Sequence, residues 1–316
     1  MSQNISAAFS EPEDFAAALR ADGFVALLIT DRGEFQAQLT QITLRRLCLS
    51  AADERLARVA FIAVPSDVVR ISFPISGGTM PVRGGIRLRP GEIMAFGPGE
   101  EVHLRTSGAR RWGAILVPAQ ELVRYGSALT EAPFALPSGG RCWRPPPAAG
   151  QRLRSLHGAA IRMAQRRPQV LVDCQTAQGL EQELIHAVVD CLSAGSAAAI
   201  TPAVQRGRGI MIRFEKLIRD EPDQSVRSAE ICAALGVSER LLRDLCSEHL
   251  GMSPMSYIRL QRMSQVRSAL RRGGRKAVSV SDVVRRYGFG SPGRFAANYR
   301  AAFGETPSMT LKRSSG

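Results

Sequence analysis

Residues 278–308, VSVSDVVRRYGFGSPGRFAANYRAAFGETPS, read as a short helix, a glycine turn and a second helix. Val283 and Val284 begin an apolar face, and Gly288 is placed to end the first helix. Ser291 stands at the cap of the second helix. Pro292 takes its first position, where a missing N–H costs nothing. Phe295, Tyr299 and Phe303 then recur at i, i+4 and i+8, which predicts one buried aromatic stripe.

The same plan occurs upstream in SAEICAALGVSERLLRDLCSEHLG (228–251). Ser228 is expected as an N-cap, with Ile231, Ala234 and Leu235 inward; Gly236 breaks the helix and Ser238 caps the next. That next helix is expected to bury Leu241, Leu242, Leu245 and Leu250 and to expose Glu239, Arg240, Arg243 and Ser247. A helix, a glycine turn and a Ser-capped helix make the helix-turn-helix plan. Before it, IMIRFEKLIRD (210–220) reads as an amphipathic helix. Between the copies, SPMSYIRLQRMSQVRSALRRG (253–273) reads as one long helix capped by Ser253, with Tyr257, Ile258, Leu260, Met263, Val266 and Leu270 serving both neighbours. Eighteen helical residues span about 27 Å, close to the roughly 34 Å between successive major-groove faces on one side of a duplex.

Charge follows the same division. Residues 201–316 carry 21 Lys+Arg against 10 Asp+Glu, whereas residues 1–200 carry 21 against 18. The excess therefore sits at one end, whose expected partner is a polyanion.

The stretch GVSERLLRDL…LGMSPMSYIRLQRMSQVRSAL…VSDVVRRYGFGSPGRFAANYRAAFGETPS resembles the DNA-binding domain of the AraC/XylS family of bacterial regulators, over roughly 210–312. The resemblance implies sequence-specific binding of double-stranded operator DNA, activation through RNA polymerase and, in many members, a small-molecule effector. The sequence departs from the family pattern at Asp244, where a basic residue is common, at Cys246, where Phe is common, and at Ala297, where Arg or another polar residue often stands. Asp244 is positioned to draw Arg240 into an intrahelical pair.

Base contacts are expected from the exposed face of each second helix, and phosphate contacts from helix N-termini and cationic side chains. Arg240 and Arg243 are assigned to base edges, with Ser238 and Glu239 at the groove entry; guanine N7 and O6 are the natural partners of an arginine fork. In the second unit Arg294 is the main candidate for a base or phosphate contact, Ser291 and Gly293 lie at the helix start, and Arg300 is expected on phosphate or at the core edge. Taken alone, Arg240 and Arg243 are better described as a solvated helix face; the two-unit architecture tips them to base readout.

Residues 40 to 120 read as short strands cut by Gly and Pro, including LARVAFIAV (56–64), VVRISFPIS (68–76) and RRWGAILVP (110–118). Val69, Ile71, Phe73 and Ile75 share a face, and Pro-Gly pairs at 90–91 and 98–99 bracket a strand. An antiparallel barrel or sandwich follows, filled by its own side chains or holding a small ligand. It resembles, loosely, the cupin-like sensor domain fused to many members of the family. Helical patterns at 151–166 and 176–192 form a pair that packs on the barrel or serves a homodimer.

The fold class expected is thus α+β in two domains: a cupin-like β-barrel with a helical pair over 1–193, a linker over 194–209, and an all-α domain with two helix-turn-helix motifs over 210–316. No C-x-x-C pair or histidine cluster occurs, and His103 is the one histidine of the strand region, so neither a metal nor another cofactor is expected and an enzyme is disfavoured. Scattered single cysteines, an acidic N-terminus without an apolar core and the lack of a ~20-residue apolar run point to the cytoplasm and away from a membrane. A protein-interaction role for the barrel, without an effector, remains the alternative.

Overall fold

The computed structural model describes residues 3–76, 78–137, 139, 141–171, 173–197, 199–220, 227–273 and 279–313. Its strands are β1 (Gln3–Phe9), β2 (Phe24–Ile29), β3 (Ala37–Thr43), β4 (Cys48–Glu54), β5 (Arg58–Ala63), β6 (Val68–Ser76), β7 (Val82–Arg83), β8 (Ile86–Arg87), β9 (Ile93–Phe96), β10 (Glu101–Thr106), β11 (Arg110–Pro118), β12 (Cys142–Arg144) and β13 (Ser196–Ala197). Its helices are α1 (Pro12–Ala18), α2 (Ala119–Thr130), α3 (Pro147–Arg166), α4 (Cys174–Ser193), α5 (Pro202–Asp220), α6 (Ser228–Leu235), α7 (Glu239–Leu250), α8 (Pro254–Gly273), α9 (Val280–Arg286), α10 (Pro292–Phe303) and α11 (Pro307–Arg313).

The strands form two antiparallel sheets, in the orders β1-β3-β4-β11-β6-β9-β12-β13 and β2-β5-β10-β7-β8. They face each other across a shared interior built from Leu39, Met94 and Trp112 of the larger sheet and Phe24, Ile62 and Leu104 of the smaller. The outer face of the larger sheet is apolar too. There Ile71, Phe73, Ile115 and Val117 pack beneath Leu153, Ala160, Leu184 and Val188 of α3 and α4. The helical pair therefore covers the barrel wall.

This layering corrects the reading of VVRISFPIS. Val69, Ile71 and Phe73 do share a buried face, but that face lies under the helices, and Ile75 is exposed. The alternate residues Arg70 and Ser72, which simple alternation would send to solvent, are buried and line the barrel interior. In β11, Trp112 and Ala114 likewise point inward while Ile115 and Val117 meet the helices. The strand expected between the two Pro-Gly pairs is β9.

The C-terminal helices build two further cores. The first joins Met211, Phe214, Ile231, Leu242, Leu250 and Tyr257, and includes Leu28 and Val59 from the outer face of the smaller sheet. Helices α5 to α8 are thereby docked on the barrel. The second core joins Met263, Val266 and Leu270 of α8 to Val283, Val284, Phe295 and Tyr299. Leu260 packs against both, so one helix of 20 residues, about 30 Å long, serves both units.

The helix expected from Ile210 begins instead at Pro202 and takes in much of the stretch read as a linker over 194–209. Proline at the first position and Thr201, whose Oγ1 accepts from the Val204 N–H at 3.4 Å, start it there. Small residues gave no apolar period upstream of Ile210, which is why the earlier start was not legible.

Candidate nucleic-acid interface

In the first helix-turn-helix unit, Gly236 adopts φ +68° and its N–H satisfies carbonyls at the end of α6. Ser238 Oγ accepts from the Leu241 N–H at 3.2 Å and caps α7, as its sequence position predicts. The cap of α6 is Arg227, so Ser228 is the first helical residue and not the cap expected; Glu230 reaches back to accept from the Arg227 N–H at 2.9 Å. The buried arc of α7 consists of Leu242, Leu245, Cys246, His249 and Leu250. Leu241 lies one step beyond that arc and is 42% exposed, contrary to expectation.

Ser238, Glu239, Arg240 and Arg243 are all exposed. Arg240, Arg243 and Ser247 form one solvent-facing stripe opposite the buried arc, with Asp244 beside them. Arg240 Nε stands 3.9 Å from Asp244 Oδ2, and its side chain is 92% exposed, so this pair holds it only weakly.

The second unit repeats the arrangement with different capping chemistry. Ser279 Oγ accepts from the Ser281 and Asp282 N–H groups at 3.1 and 3.4 Å and starts α9. Gly288 adopts φ +77° just after that helix. Ser291 occupies the cap position of α10 without a side-chain hydrogen bond, while its carbonyl accepts from the Phe295 N–H at 2.9 Å. The Ser291 hydroxyl is thus not committed to its own helix.

Phe295 and Tyr299 are buried, and Phe303 is half-buried. Ring centroids 4.6, 5.5 and 4.7 Å apart link Phe289, Phe295, Tyr299 and Phe303 in a continuous aromatic row. Tyr299 Oη meets Thr310 Oγ1 at 2.8 Å, which ties α10 to α11. Ser291, Gly293, Arg294 and Arg300 are exposed. Arg294 and Arg300 lie about 120° apart around the helix and flank exposed Ala297, so they reach to different sides of one surface.

A family model described as a helix-turn-helix domain matches residues 231–313. Over 101 residues the chain is 37% identical to the XylDLEGF operon transcriptional activator 3 of Pseudomonas putida, covering 32% of this chain and 30% of that protein. It is 34% identical over 89 residues to a protein described as a probable thc operon regulatory protein of Rhodococcus erythropolis, covering 28% and 27%. Residues 231–313 are a helix-turn-helix domain. This chain spans about a third of the length of the first of these relatives. Among solved structures, the AraC-like transcriptional activator CuxR aligns with a TM-score of 0.45 at 17% identity, over 83% of this chain and 94% of that one. ToxT of Vibrio cholerae with a bound unsaturated fatty acid aligns with a TM-score of 0.30 at 13% identity, over 84% and 95%.

The helix-turn-helix domain meets the barrel through buried polar groups as well as apolar ones. Glu215 of α5, fully buried, accepts from Tyr257 Oη at 2.8 Å and Gln261 Nε2 at 3.2 Å, both on α8, and lies 3.1 Å from His103 Nε2 on β10. At the other end of α8, Arg267 binds Glu11 at 2.5 Å, Glu13 at 2.6 Å and Glu305 at 3.2 Å. Arg271 joins Glu13 and Asp14, each at 3.0 Å. These carboxylates hold the Arg267 guanidinium firmly charged, against a burial that disfavours the charge.

A second group of arginines sits inside the barrel. Arg58 is paired with Glu54 at 2.5 and 3.0 Å, and Trp112 Nε1 donates to the same carboxylate. Arg70 and Arg110 border the same small cavity as Arg58. Among the described residues, no group of three or more His, Cys, Asp or Glu side chains is placed to hold a metal ion, and no helix is long and apolar enough to cross a membrane.

Proposed function

We propose that this chain is a sequence-specific DNA-binding transcriptional regulator, acting as an activator on operator DNA with RNA polymerase as its protein partner. The observation that carries the reading is the pairing of two exposed, arginine-bearing helices, α7 and α10, on opposite halves of one 20-residue helix. Such a connector of about 30 Å suits two successive major-groove segments of a duplex. In this reading Arg240 and Arg243 meet base edges. Ser238, Glu239, Ser291 and Gly293 lie at the helix starts, and Arg294 and Arg300 meet base or phosphate groups.

The N-terminal barrel, residues 1–193, serves as a sensor for a small-molecule effector rather than as an enzyme, and α5 carries the junction to the DNA-binding domain. The packing of α3 and α4 onto the larger sheet supports a role for the helical pair in building the barrel. The protein works in the cytoplasm. The test is a fluorescence-anisotropy titration of the full chain against promoter fragments at rising salt. Affinity should fall steeply on a log–log scale, as counterion release requires. A dependence near zero on every fragment would overturn the reading.

A further inference from the structure

Arg70 is 1% exposed, and its Nε and Nη1 have no hydrogen-bond partner. Its guanidinium carbon lies 5.2, 5.4 and 5.6 Å from the rings of Phe24, Phe96 and Trp112. Ring contacts compensate a buried cation only in part. A guanidinium removed from water without a carboxylate is among the most costly arrangements a core can hold.

The neighbouring charges do not balance it. Glu54 is engaged by Arg58 and Trp112. Arg110 is 5% exposed and gives one hydrogen bond, from Nη2 to the Thr79 carbonyl at 3.3 Å, while its Nε has no partner. Asp22 acts on Arg70 electrostatically, but burial pushes its own carboxyl upward, toward the neutral form. Burial lowers Arg70 and Arg110 each to about 10. The barrel interior therefore sets three guanidiniums, Arg58, Arg70 and Arg110, against two carboxylates, Glu54 and Asp22, and neither carboxylate is hydrogen-bonded to Arg70 or Arg110. Arg70 and Arg110 flank a cavity bordered by Ser72, Met94, Thr106 and Trp112.

We propose that the barrel binds a small organic carboxylate, with Arg70 as its counter-ion and Arg110 as a second donor. The proposal rests on the reading of the barrel as a sensor and specifies its ligand class. A planar guanidinium fork matches a carboxylate bidentately, and the aromatic and thioether walls suit an apolar body. The free space as it stands admits little more than a water-sized group. Entry of the ligand therefore moves Met94, whose unbranched side chain re-packs readily, and the carboxylate supplies the charge that the site lacks.

The experiment is thermal unfolding of the full chain with acetate, butyrate or 3-phenylpropionate, each against its primary amide at matched ionic strength. A ligand bound only by the folded state raises the midpoint by mass action. The acids should raise it by several degrees and the amides should not. Arg70→Met should unfold at or above the wild-type midpoint without ligand, and should not respond to the acids. Ser72→Leu fills the space beside an intact Arg70, and it should also lose the response. Equal responses to acid and amide would overturn the anionic class while leaving a barrel effector in place. No response to any of the acids, or an undiminished response in Arg70→Met, would overturn the site itself. Neither result touches the DNA-binding reading, which stands or falls on its own titration.

Discussion

His103 Nε2 on the barrel strand β10 lies 3.1 Å from Glu215 Oε2 on α5, and both side chains are fully buried between the barrel and the helix-turn-helix domain. Tyr257 and Gln261 complete the ring of donors around that carboxylate, so the two parts of the chain share one desolvated polar centre. The apolar contacts of Leu28 and Val59 surround it.

Removing one donor from this centre leaves a buried acceptor short of a partner. Tyr257→Phe is expected to destabilise the protein by about 1–3 kcal/mol, measured by urea unfolding. His103→Leu acts on the same carboxylate. The double variant should therefore deviate from additivity by at least about 0.5 kcal/mol. Strict additivity would mean that the two residues do not share Glu215.

Acid should weaken the fold through two histidines. Burial lowers His249 to about 3 and His157 to about 4, against 6.5 for an unperturbed imidazole. The folded protein holds both neutral, while the unfolded chain protonates them below pH 6.5. The unfolded state then binds more protons, and stability falls as pH falls from about 6.5 toward 4. Each histidine adds up to about 1.4 kcal/mol per pH unit to that slope. His249→Gln should flatten the decline in unfolding free energy between pH 6 and 5. An unchanged slope would count against a neutral, buried His249.

Gly236 sits at φ +68° with open space where a Cβ would stand. Gly236→Ala therefore meets no clash but carries the left-handed penalty, and should cost about 1 kcal/mol. Gly251, at φ +75°, differs: there an added Cβ would lie 2.6 Å from Arg105 Nη1 at the barrel contact. Gly251→Ala is expected to be the more damaging in the same thermal-unfolding assay.

Arg243→Ala should cost about 1–3 kcal/mol on the operator and relax base preference at the position it reads. Anisotropy on the operator and on single-base variants distinguishes the outcomes. A uniform loss on every duplex would reassign Arg243 to phosphate. Arg300→Ala is expected to show that uniform pattern and a shallower salt slope.

The helix-turn-helix units were legible because their determinants are local. Gly236 and Gly288 take the left-handed conformations their positions require, and the aromatic row from Phe295 to Phe303 follows the helical period. The barrel interior was less so. Alternation in VVRISFPIS separates two faces but does not say which is covered, and a sheet buried on both sides places Arg70 inward. Leu241 was misplaced because the buried arc of α7 centres on Leu242 and His249, and a histidine gives no apolar signal. The carboxylates around Arg267 come from α1 and from Glu305, and nothing in the local pattern links Glu11 to a helix at the far end of the chain.

That last contact ties together residues 256 positions apart in the chain. On a ribosome adding about 5–20 residues per second, Glu11 emerges roughly 13–50 s before the arginine that will bind it. During this interval the acidic start of α1 is without these partners. Arg313, which also bonds Glu11, arrives later still. Helix α1 is thus among the last of the described elements to acquire its full set of partners.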